Sequence, residues 1–354
     1  MELRTMLLIY GSTGYTGRLI VEEALARGLR LTLAGRNASA VRAQAETLGL
    51  KWRAAAIDDR VALDAALEGA KVVLHCAGPF AQTWRAMSDA CLRRRAHYLD
   101  ITGEIAVFEG LAARDAAARD SGIMLLPGVG FDVVPSDCLA AHLARRLPDA
   151  VHLALAFRAI GGASRGTLAT MVANLGTPGA VRRNGHIVPV PQGWRTRQID
   201  FGDGRLHDAT TIPWGDVSTA WHSTGIPNIE VFVSMRPALR RAAILSRWLG
   251  PALRSGIVRR ALASLVRSGP PGPSDEERAR GASLLWGEAV AANGERVESR
   301  LRGASGYTLT AQTAVHLAAK ALSGNAPAGF QTPSGAYGPD VILEIPGVTR
   351  TDSI

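Results

Sequence analysis

Three glycines stand three residues apart near the start of the chain, in the run G-S-T-G-Y-T-G of residues 11–17. The apolar segment Met6–Tyr10 precedes them, and apolar residues at helical spacing follow. We therefore predict a strand-to-helix turn, where the N–H groups of the helix start and the helix dipole bind a phosphate. Glycine lets backbone and phosphate approach closely, and Ser12, Thr13 and Thr16 could add hydroxyl donors.

A second apolar run, Leu29–Ala34, completes a β-α-β unit, the context in which such a corner binds a dinucleotide. The run ends in Gly35-Arg36-Asn37, where enzymes that prefer NAD usually carry an acidic residue. Since an arginine there can instead hold a 2′-phosphate, we predict NADP(H) as the cofactor. The predicted cofactor-binding residues are Gly11, Ser12, Thr13, Gly14, Tyr15, Thr16, Gly17, Arg36, Asn37, Asp58, Gly78, Pro79 and Phe80.

The alternation of strands and helices continues to about residue 147. Further strands are predicted at 52–57, 71–77, 97–101 and 123–126. In a doubly wound parallel sheet the ligand lies beyond the carboxyl ends of the strands. Asp58, after the third strand, is therefore expected near the adenine, and Gly78-Pro79-Phe80, after the fourth, near the nicotinamide half.

Two carboxylates on the same edge, Glu104 and Asp132, are candidates for a general acid. The alternative is that they bond loop backbones and hold the cofactor cleft in shape. None of the five tyrosines has a lysine four residues on, so the Tyr-x-x-x-Lys mechanism of short-chain dehydrogenases is absent. The acid is then a different group, or water.

The predicted fold class is α/β, with a Rossmann-type doubly wound parallel sheet, a second α+β substrate domain and a C-terminal segment returning to the first domain. The domains are predicted at 1–147 (NADP binding), 148–305 (substrate and dimerisation) and 306–354 (C-terminal helix and tail packing back on the first domain). An antiparallel sheet is expected in the second domain, with Ser136 as a helix N-cap before it. Residues 282–292 and 308–322 show helical patterns, and Val341–Ile345 is apolar enough to join a sheet.

Residues 162–166 match G-x-S-x-G, the nucleophile elbow of hydrolases. The acid and histidine that a hydrolase also needs could be Asp216 with His222, or Glu288 with His316, but neither pair lies in a distinctive motif. A hydrolase would also leave the dinucleotide signals unexplained. We therefore interpret the segment as a substrate-domain loop, with Ser164 and Arg165 contacting an anionic group.

The segment P-W-G-D-V-S-T-A-W-H-S-T, residues 213–224, combines tryptophans with hydroxyls, a carboxylate and an imidazole. We predict a glycine-containing loop or edge at this segment. Apolar walls with a few polar anchors are typical of a ligand pocket, so Trp214, Asp216 and His222 are further substrate candidates. A surface loop beside a core tryptophan is the alternative.

Most of the net charge of +9 comes from one segment. Eight arginines lie between 236 and 267, and no acidic residue lies between Glu230 and Asp275. Subtracting these eight leaves the rest of the chain near +1. Segment 236–268 therefore has three interpretations: a helix pair packed on the fold or a second subunit, attachment to an anionic membrane, or docking of an acidic carrier protein. We expect a homodimer, and we expect no nucleic-acid partner because no reading motif appears.

The three cysteines, Cys76, Cys91 and Cys138, have no metal-binding spacing and predict reduced thiols. We predict no metal site. No uncharged apolar run is long enough to span a bilayer, and the start of the chain does not resemble a signal peptide. The expected location is the cytoplasm, with peripheral membrane association left open.

Several blocks together resemble the saccharopine dehydrogenase-like oxidoreductases, and in particular the bacterial branch named trans-acting enoyl reductases. They are GSTGYTG (11–17), AGRN (34–37), HCAGPF (75–80), YLDITGE (98–104), GVGFDVVPSD (128–137), GYTLTA (306–311) and GFQTPSGAYG (329–338). The resemblance implies an NADP-binding Rossmann domain, an α/β substrate domain and a helix closing back on the first domain. Many relatives carry Tyr-Gly after Gly-Pro-Phe, where this chain has Ala81-Gln82, so the resemblance does not fix the substrate.

The expected reaction is hydride transfer from NADPH to an activated double bond of a small-molecule or carrier-linked substrate. The resemblance favours the C=C bond of an enoyl thioester, with a C=N bond formed from an amino acid and a keto acid as the alternative. A different class of function, an NADP(H)-binding sensor or scaffold without turnover, also fits the missing Tyr-x-x-x-Lys.

Overall fold

The computed structural model describes residues 6–173, 176–235, 262, 264–266 and 268–353. The eight arginines of segment 236–268 lie outside the described residues, so the three interpretations of that segment and the expected homodimer stay predictions. Across the described ranges, no helix is both long enough and apolar enough to cross a bilayer.

Helices and strands alternate along the first part of the chain, and strands dominate the second. The first half contains β1 (Leu7–Tyr10), α1 (Tyr15–Ala26), β2 (Leu31–Gly35), α2 (Ala38–Leu48), β3 (Lys51–Ala54), α3 (Arg60–Ala66), β4 (Val72–His75), α4 (Phe80–Arg94), β5 (His97–Asp100), α5 (Ile105–Ala112), α6 (Asp115–Ser121), β6 (Met124–Leu126), α7 (Val134–Arg146), β7 (Ala150–Ile160) and α8 (Arg165–Ala173). The second half contains β8 (Gly179–Arg183), β9 (His186–Val190), β10 (Thr196–Asp200), β11 (Leu206–Thr211), α9 (Asp216–Thr224), β12 (Asn228–Ser234), α10 (Asp275–Arg280), β13 (Ala282–Ala291), β14 (Arg296–Ala304), α11 (Gly306–Leu322), β15 (Gly329–Phe330), α12 (Pro333–Tyr337), a 3₁₀ turn (Val341–Glu344) and β16 (Thr349–Ser353).

The chain forms two compact units, Met1–Val134 with Tyr307–Tyr337 and Pro135–Gly306 with Gly338–Ile354. The first unit holds a parallel sheet of order β15-β6-β5-β4-β1-β2-β3. From β1 the chain builds outward to β3 and then returns to β4 on the other side, so the strand order reverses between β1 and β4. This is the doubly wound sheet predicted from the sequence.

The register of this sheet brings four residues into one row at its carboxyl edge. Tyr10 of β1 pairs with Ala34 and His75, and His75 pairs with Asp100. The strands β1 and β4 are buried along their whole length, as expected for parallel strands covered by helices on both faces. The loops that follow β1, β2, β4 and β5 therefore start side by side.

The second unit holds a nine-stranded sheet in which β10-β11-β12-β7-β13-β14-β16 form the main path. The pair β12–β7 is parallel and the other pairs are antiparallel, so the predicted antiparallel sheet is mixed. Three strands separate β10 from β13 in this order, yet Arg197 of β10 bonds Glu288 of β13 at 2.8 Å. The sheet therefore curls around an apolar cluster that includes Phe201, Phe232 and Trp286.

The helix predicted over 282–292 is wrong, because this segment is β13. The strand is buried almost throughout and pairs with β7 and β14, so it lacks the alternation that marks a strand with one wet face. Leu139 and Leu143 of α7 pack at Gly287, where a Cβ would lie 2.6 Å from Leu143 Cδ1.

The tail also differs from the prediction. Val341–Glu344 forms a 3₁₀ turn and not a strand, whereas Thr349–Ser353 pairs with β14 in the second sheet. The sequence predicts a tail packed back on the first domain, but only Tyr307–Tyr337 groups with the first unit. The ion pair of Asp340 with Arg145 attaches the tail to α7, and the ion pair of Asp340 with Arg350 lies within the tail. The helix α7, placed in domain 1–147 by the prediction, groups with the second unit from Pro135 onward.

Candidate functional site

The glycine corner between β1 and α1 admits little besides glycine at two positions. Gly11 has a φ of 88°, and a Cβ there would lie 2.9 Å from Ala77 N. A Cβ on Gly17, in the first turn of α1, would lie 2.3 Å from Gly11 O. Gly14 is the N-cap and offers no side chain, so α1 begins without a side-chain cap. A helix start with no side-chain cap leaves main-chain N–H groups for a phosphate, and the glycines let the phosphate approach them closely.

The hydroxyl of Ser12 is directed away from such a ligand. Ser12 is fully buried, and its Oγ donates to Gln44 Oε1 of α2 at 2.8 Å. Gln44 Nε2 donates in return to Ser12 O at 3.1 Å. Ser12 therefore ties the corner to α2, and the predicted hydroxyl donors are reduced to the partly exposed Thr13 and Thr16.

Arg36 and Asn37 lie where the sequence predicts the adenosine end of the cofactor. Arg36 follows β2 directly and is exposed. Asn37 caps α2 by accepting from Ala40 N at 3.1 Å. Burial raises the pKa of Tyr10, while Arg36 opposes this rise and Asp58 adds to it, so both charges lie near the Tyr10 hydroxyl. An exposed guanidinium beside a helix start suits a 2′-phosphate.

Glu104 caps α4 from another loop. Its Oε1 accepts from Phe80 N at 3.0 Å and its Oε2 from Ala81 N at 3.1 Å. The turn before α4 is also bonded from within the helix, because Thr83 Oγ1 donates to Ala77 O and lies 2.9 Å from His75 Nε2. The start of α4 is thus already occupied by an anion of the chain itself, in contrast to the start of α1.

Hydrogen bonds connect the other polar residues of the Y-L-D-I-T-G-E block, residues 98–104, to one another. Asp100 is fully buried and accepts from Tyr98 OH at 2.6 Å, Thr102 N at 3.0 Å and Gly128 N at 2.9 Å. Burial raises its pKa to about 6 against the opposing effect of these bonds. Glu104 N in turn donates to Thr102 Oγ1 at 3.1 Å. The block fixes the loop after β5, which supports the structural alternative for Glu104.

Asp132 lies in the loop between β6 and α7 and is half-buried. Burial raises the pKa of its carboxyl to about 7. It packs against the loop after β5, since a Cβ on Gly103 would lie 3.0 Å from Asp132 Oδ2. A carboxyl with a pKa near neutrality has comparable acid and base populations at pH 7, as a general acid requires.

Ser164 has the contacts of a helix cap. It is buried, and its Oγ accepts from Thr167 N at 3.2 Å at the start of α8. Arg165 is exposed, and its main-chain N donates to Pro271 O at 3.1 Å. This capping geometry accounts for the G-x-S-x-G match without a nucleophile.

The sequence predicts a loop or edge over 213–224. Residues 213–215 are a loop, but the prediction is wrong for Asp216–Thr224, which form the helix α9. Trp214 packs on Phe157 with ring centroids 4.6 Å apart, and His222 is exposed. Asp216 is buried and accepts from Ser136 Oγ at 2.9 Å. Ser136 therefore lies inside α7 and bonds α9, whereas the sequence predicts it as the N-cap. These contacts do not bring the three substrate candidates to one point.

Comparisons with known proteins bear on this site. Residues 7–126 match the family described as saccharopine dehydrogenase NADP binding domain. A Mycobacterium tuberculosis H37Rv protein, named as a proposed trans-acting enoyl reductase, is 32% identical over 187 residues, which cover 48% of this chain and 44% of the relative. A Mycobacterium bovis BCG protein named trans-acting enoyl reductase is 30% identical over 148 residues, covering 40% and 35%. The matches thus span less than half the length of these curated relatives.

A solved structure shares the fold over the whole chain. Saccharopine dehydrogenase (L-Glu forming) from Saccharomyces cerevisiae superposes on 99% of this chain and 100% of that one, with a TM-score of 0.66 at 14% identity. The domain match and the curated relatives confirm the resemblance seen in the sequence, and the solved structure confirms the fold. The match of residues 7–126 to an NADP-binding domain confirms the predicted cofactor.

Proposed function

We propose that the chain is an NADPH-dependent reductase of an activated double bond, in the first place the C=C bond of an enoyl thioester. The domain family and the names of the curated relatives support this proposal. Bound NADPH would supply a hydride to the electron-poor carbon and become NADP⁺, and the second hydrogen arrives as a proton. The chain's own residues must then hold the cofactor, orient the acceptor and deliver that proton.

The observation that carries the proposal is the contrast between two neighbouring helix starts. The start of α4 is capped by the carboxylate of Glu104, whereas the start of α1 is capped by no side chain and is reached across Gly11 and Gly17. A pyrophosphate on α1 would leave Arg36 facing the 2′-phosphate. The turn Gly78–Phe80 would then contact the nicotinamide half.

We assign the carboxyl of Asp132 as the donor of the proton that completes the reduction. Of the two carboxylates predicted from the sequence, Glu104 has both oxygens engaged by main-chain donors. Asp132 lies in the loop after β6 on the same edge, and burial raises its pKa to about 7. It can therefore carry a proton at neutral pH and release it once negative charge develops on the acceptor.

The experiment is to follow NADPH consumption with two acceptors, the α,β-unsaturated thioester crotonyl-coenzyme A and an imine formed from an amino acid and a keto acid. We expect turnover with the thioester, and a fall in kcat of about 100-fold in Asp132→Asn at an unchanged Kd for NADPH. Turnover with the imine alone would favour the C=N alternative. Tight NADPH binding without consumption of either acceptor would favour a sensor or scaffold.

The proposed acceptor is either a small molecule or linked to a carrier. The eight arginines of segment 236–268 favour an acidic carrier as the partner that delivers the acceptor. Replacing Arg240, Arg241, Arg259 and Arg260 by Gln should weaken turnover of a carrier-linked acceptor while leaving that of crotonyl-coenzyme A unchanged. Equal turnover of the carrier-linked acceptor by both proteins would remove this partner from the proposal.

A further inference from the structure

One side of α11 contacts two separate parts of the proposed site, the loop after β6 and the first residue of α1. Tyr307, Thr310 and Thr313 follow one another at three-residue spacing, which places them along one side of the helix. The helix is anchored on the first unit, because Leu309, Ala314 and most of the apolar positions beyond them are fully buried. The side chains at 307, 310 and 313 are therefore held by a rigid element.

Two threonines of α11 form hydrogen bonds with the loop that carries Asp132. Thr310 Oγ1 accepts from Phe131 N at 3.0 Å. Thr313 Oγ1 lies 2.8 Å from Val129 O and 2.8 Å from the helix carbonyl of Leu309, so its proton is shared between loop and helix. The loop lies directly on the helix, since a Cβ on Gly130 would lie 3.0 Å from Thr310 Cγ2.

The third side chain reaches the glycine corner. The rings of Tyr307 and Tyr15 meet edge to face, with centroids 5.2 Å apart and an interplanar angle of 87°. Tyr15 is the first residue of α1 and follows Gly14, so it lies where the pyrophosphate is proposed to bind. The helix thus touches the corner with one residue and the Asp132 loop with the other two.

We propose that α11 positions Asp132 and couples its placement to occupancy of the glycine corner. The inference rests on the proposed role of Asp132 as proton donor. Thr310 and Thr313 bond the loop main chain on either side of Gly130 and so fix its position relative to α11. Asp132 follows Gly130 by two residues, so its position is fixed as well. A ligand on the corner restrains Tyr15, and through its ring contact Tyr15 restrains Tyr307. The donor is then held in place when the cofactor is bound.

The positioning part is tested with Thr310→Val, which keeps the shape of the side chain but removes the acceptor of Phe131 N. We expect about tenfold faster hydrogen exchange at the Phe131 amide and about a tenfold lower kcat, the loss of one buried hydrogen bond, at an unchanged Kd for NADPH. Thr310→Ser, which keeps the hydroxyl, should restore both. Thr47→Val, whose hydroxyl bonds only the carbonyl of Ala43 in its own helix, is the matched control.

The coupling part is tested by hydrogen exchange at residues 129–132 with and without NADPH. We expect NADPH to slow exchange there in the wild-type protein, and the slowing to be lost in Tyr307→Leu although NADPH still binds. Equal slowing in both proteins would overturn the coupling, and unchanged Phe131 exchange in Thr310→Val would overturn the positioning. Undiminished turnover by Asp132→Asn would refute the proton assignment alone, because the exchange results do not depend on it.

Discussion

Glu104 is predicted to stabilise the fold and not to take part in the reaction. Its carboxylate accepts two main-chain bonds at the start of α4, from Phe80 N and Ala81 N. A hydrogen bond to a charged acceptor contributes about 1.5 kcal/mol net, so Glu104→Ala should lower the free energy of unfolding by about 3 kcal/mol. Glu104→Gln keeps one carbonyl acceptor and should lose about half of that. Urea unfolding at pH 7 measures both values.

The activity of these variants decides between the two roles of Glu104. A capping role predicts that Glu104→Gln keeps kcat within about tenfold of wild type, whereas loss of a general acid costs roughly 100-fold or more. Faster hydrogen exchange at Phe80 and Ala81 should accompany the lost stability. Glu104 would be a catalytic residue and not a cap if Glu104→Ala unfolded at the wild-type urea concentration and still lost about 100-fold in kcat.

Three further outcomes are expected. Gly17→Ala should abolish NADPH binding, because its Cβ would lie 2.3 Å from Gly11 O; a wild-type Kd from nicotinamide fluorescence would contradict this. Burial lowers the pKa of His75 to about 3, so the unfolded chain alone takes up this proton between about pH 6.5 and 3, and stability falls as the pH falls. His75→Gln should remove about 2 kcal/mol of the stability loss between pH 7 and 5, and an unchanged pH slope in urea unfolding would count against it. Ser164→Ala should lower the free energy of unfolding by about 1 kcal/mol as a lost cap, with kcat unchanged; loss of turnover would instead favour the predicted contact of Ser164 with the substrate.

The sequence was most informative where local patterns decide the structure. The buried run before Gly11, the glycines themselves and the helical spacing after them define the first β-α-β unit without long-range information. The same holds for the carboxyl-edge position of Asp132, which follows from the order of strands in a doubly wound sheet. The helix α11 also showed a strong period of its own.

The failures share a physical cause, which is that distant contacts overrode the local signal. The strand β13 is buried on both faces by α7 and by the curled sheet, so its leucines and alanines give no alternation. The local preference of the serines and threonines in Asp216–Thr224 favours a loop. They form helix α9 instead, with several of them buried, and the helix is bonded to α7 through Asp216 and Ser136. The engagement of Ser12 by Gln44, thirty-two residues away, has no sequence signature at all.

The most direct test of the central claim is a titration of the protein with NADPH and with NADH, followed by nicotinamide fluorescence. We expect NADPH to bind more tightly than NADH. In Arg36→Ala, which loses one charged contact, the Kd for NADPH should rise about tenfold or more while the Kd for NADH stays unchanged. Binding of neither nucleotide would contradict the assignment of the glycine corner and, with it, the proposed reductase.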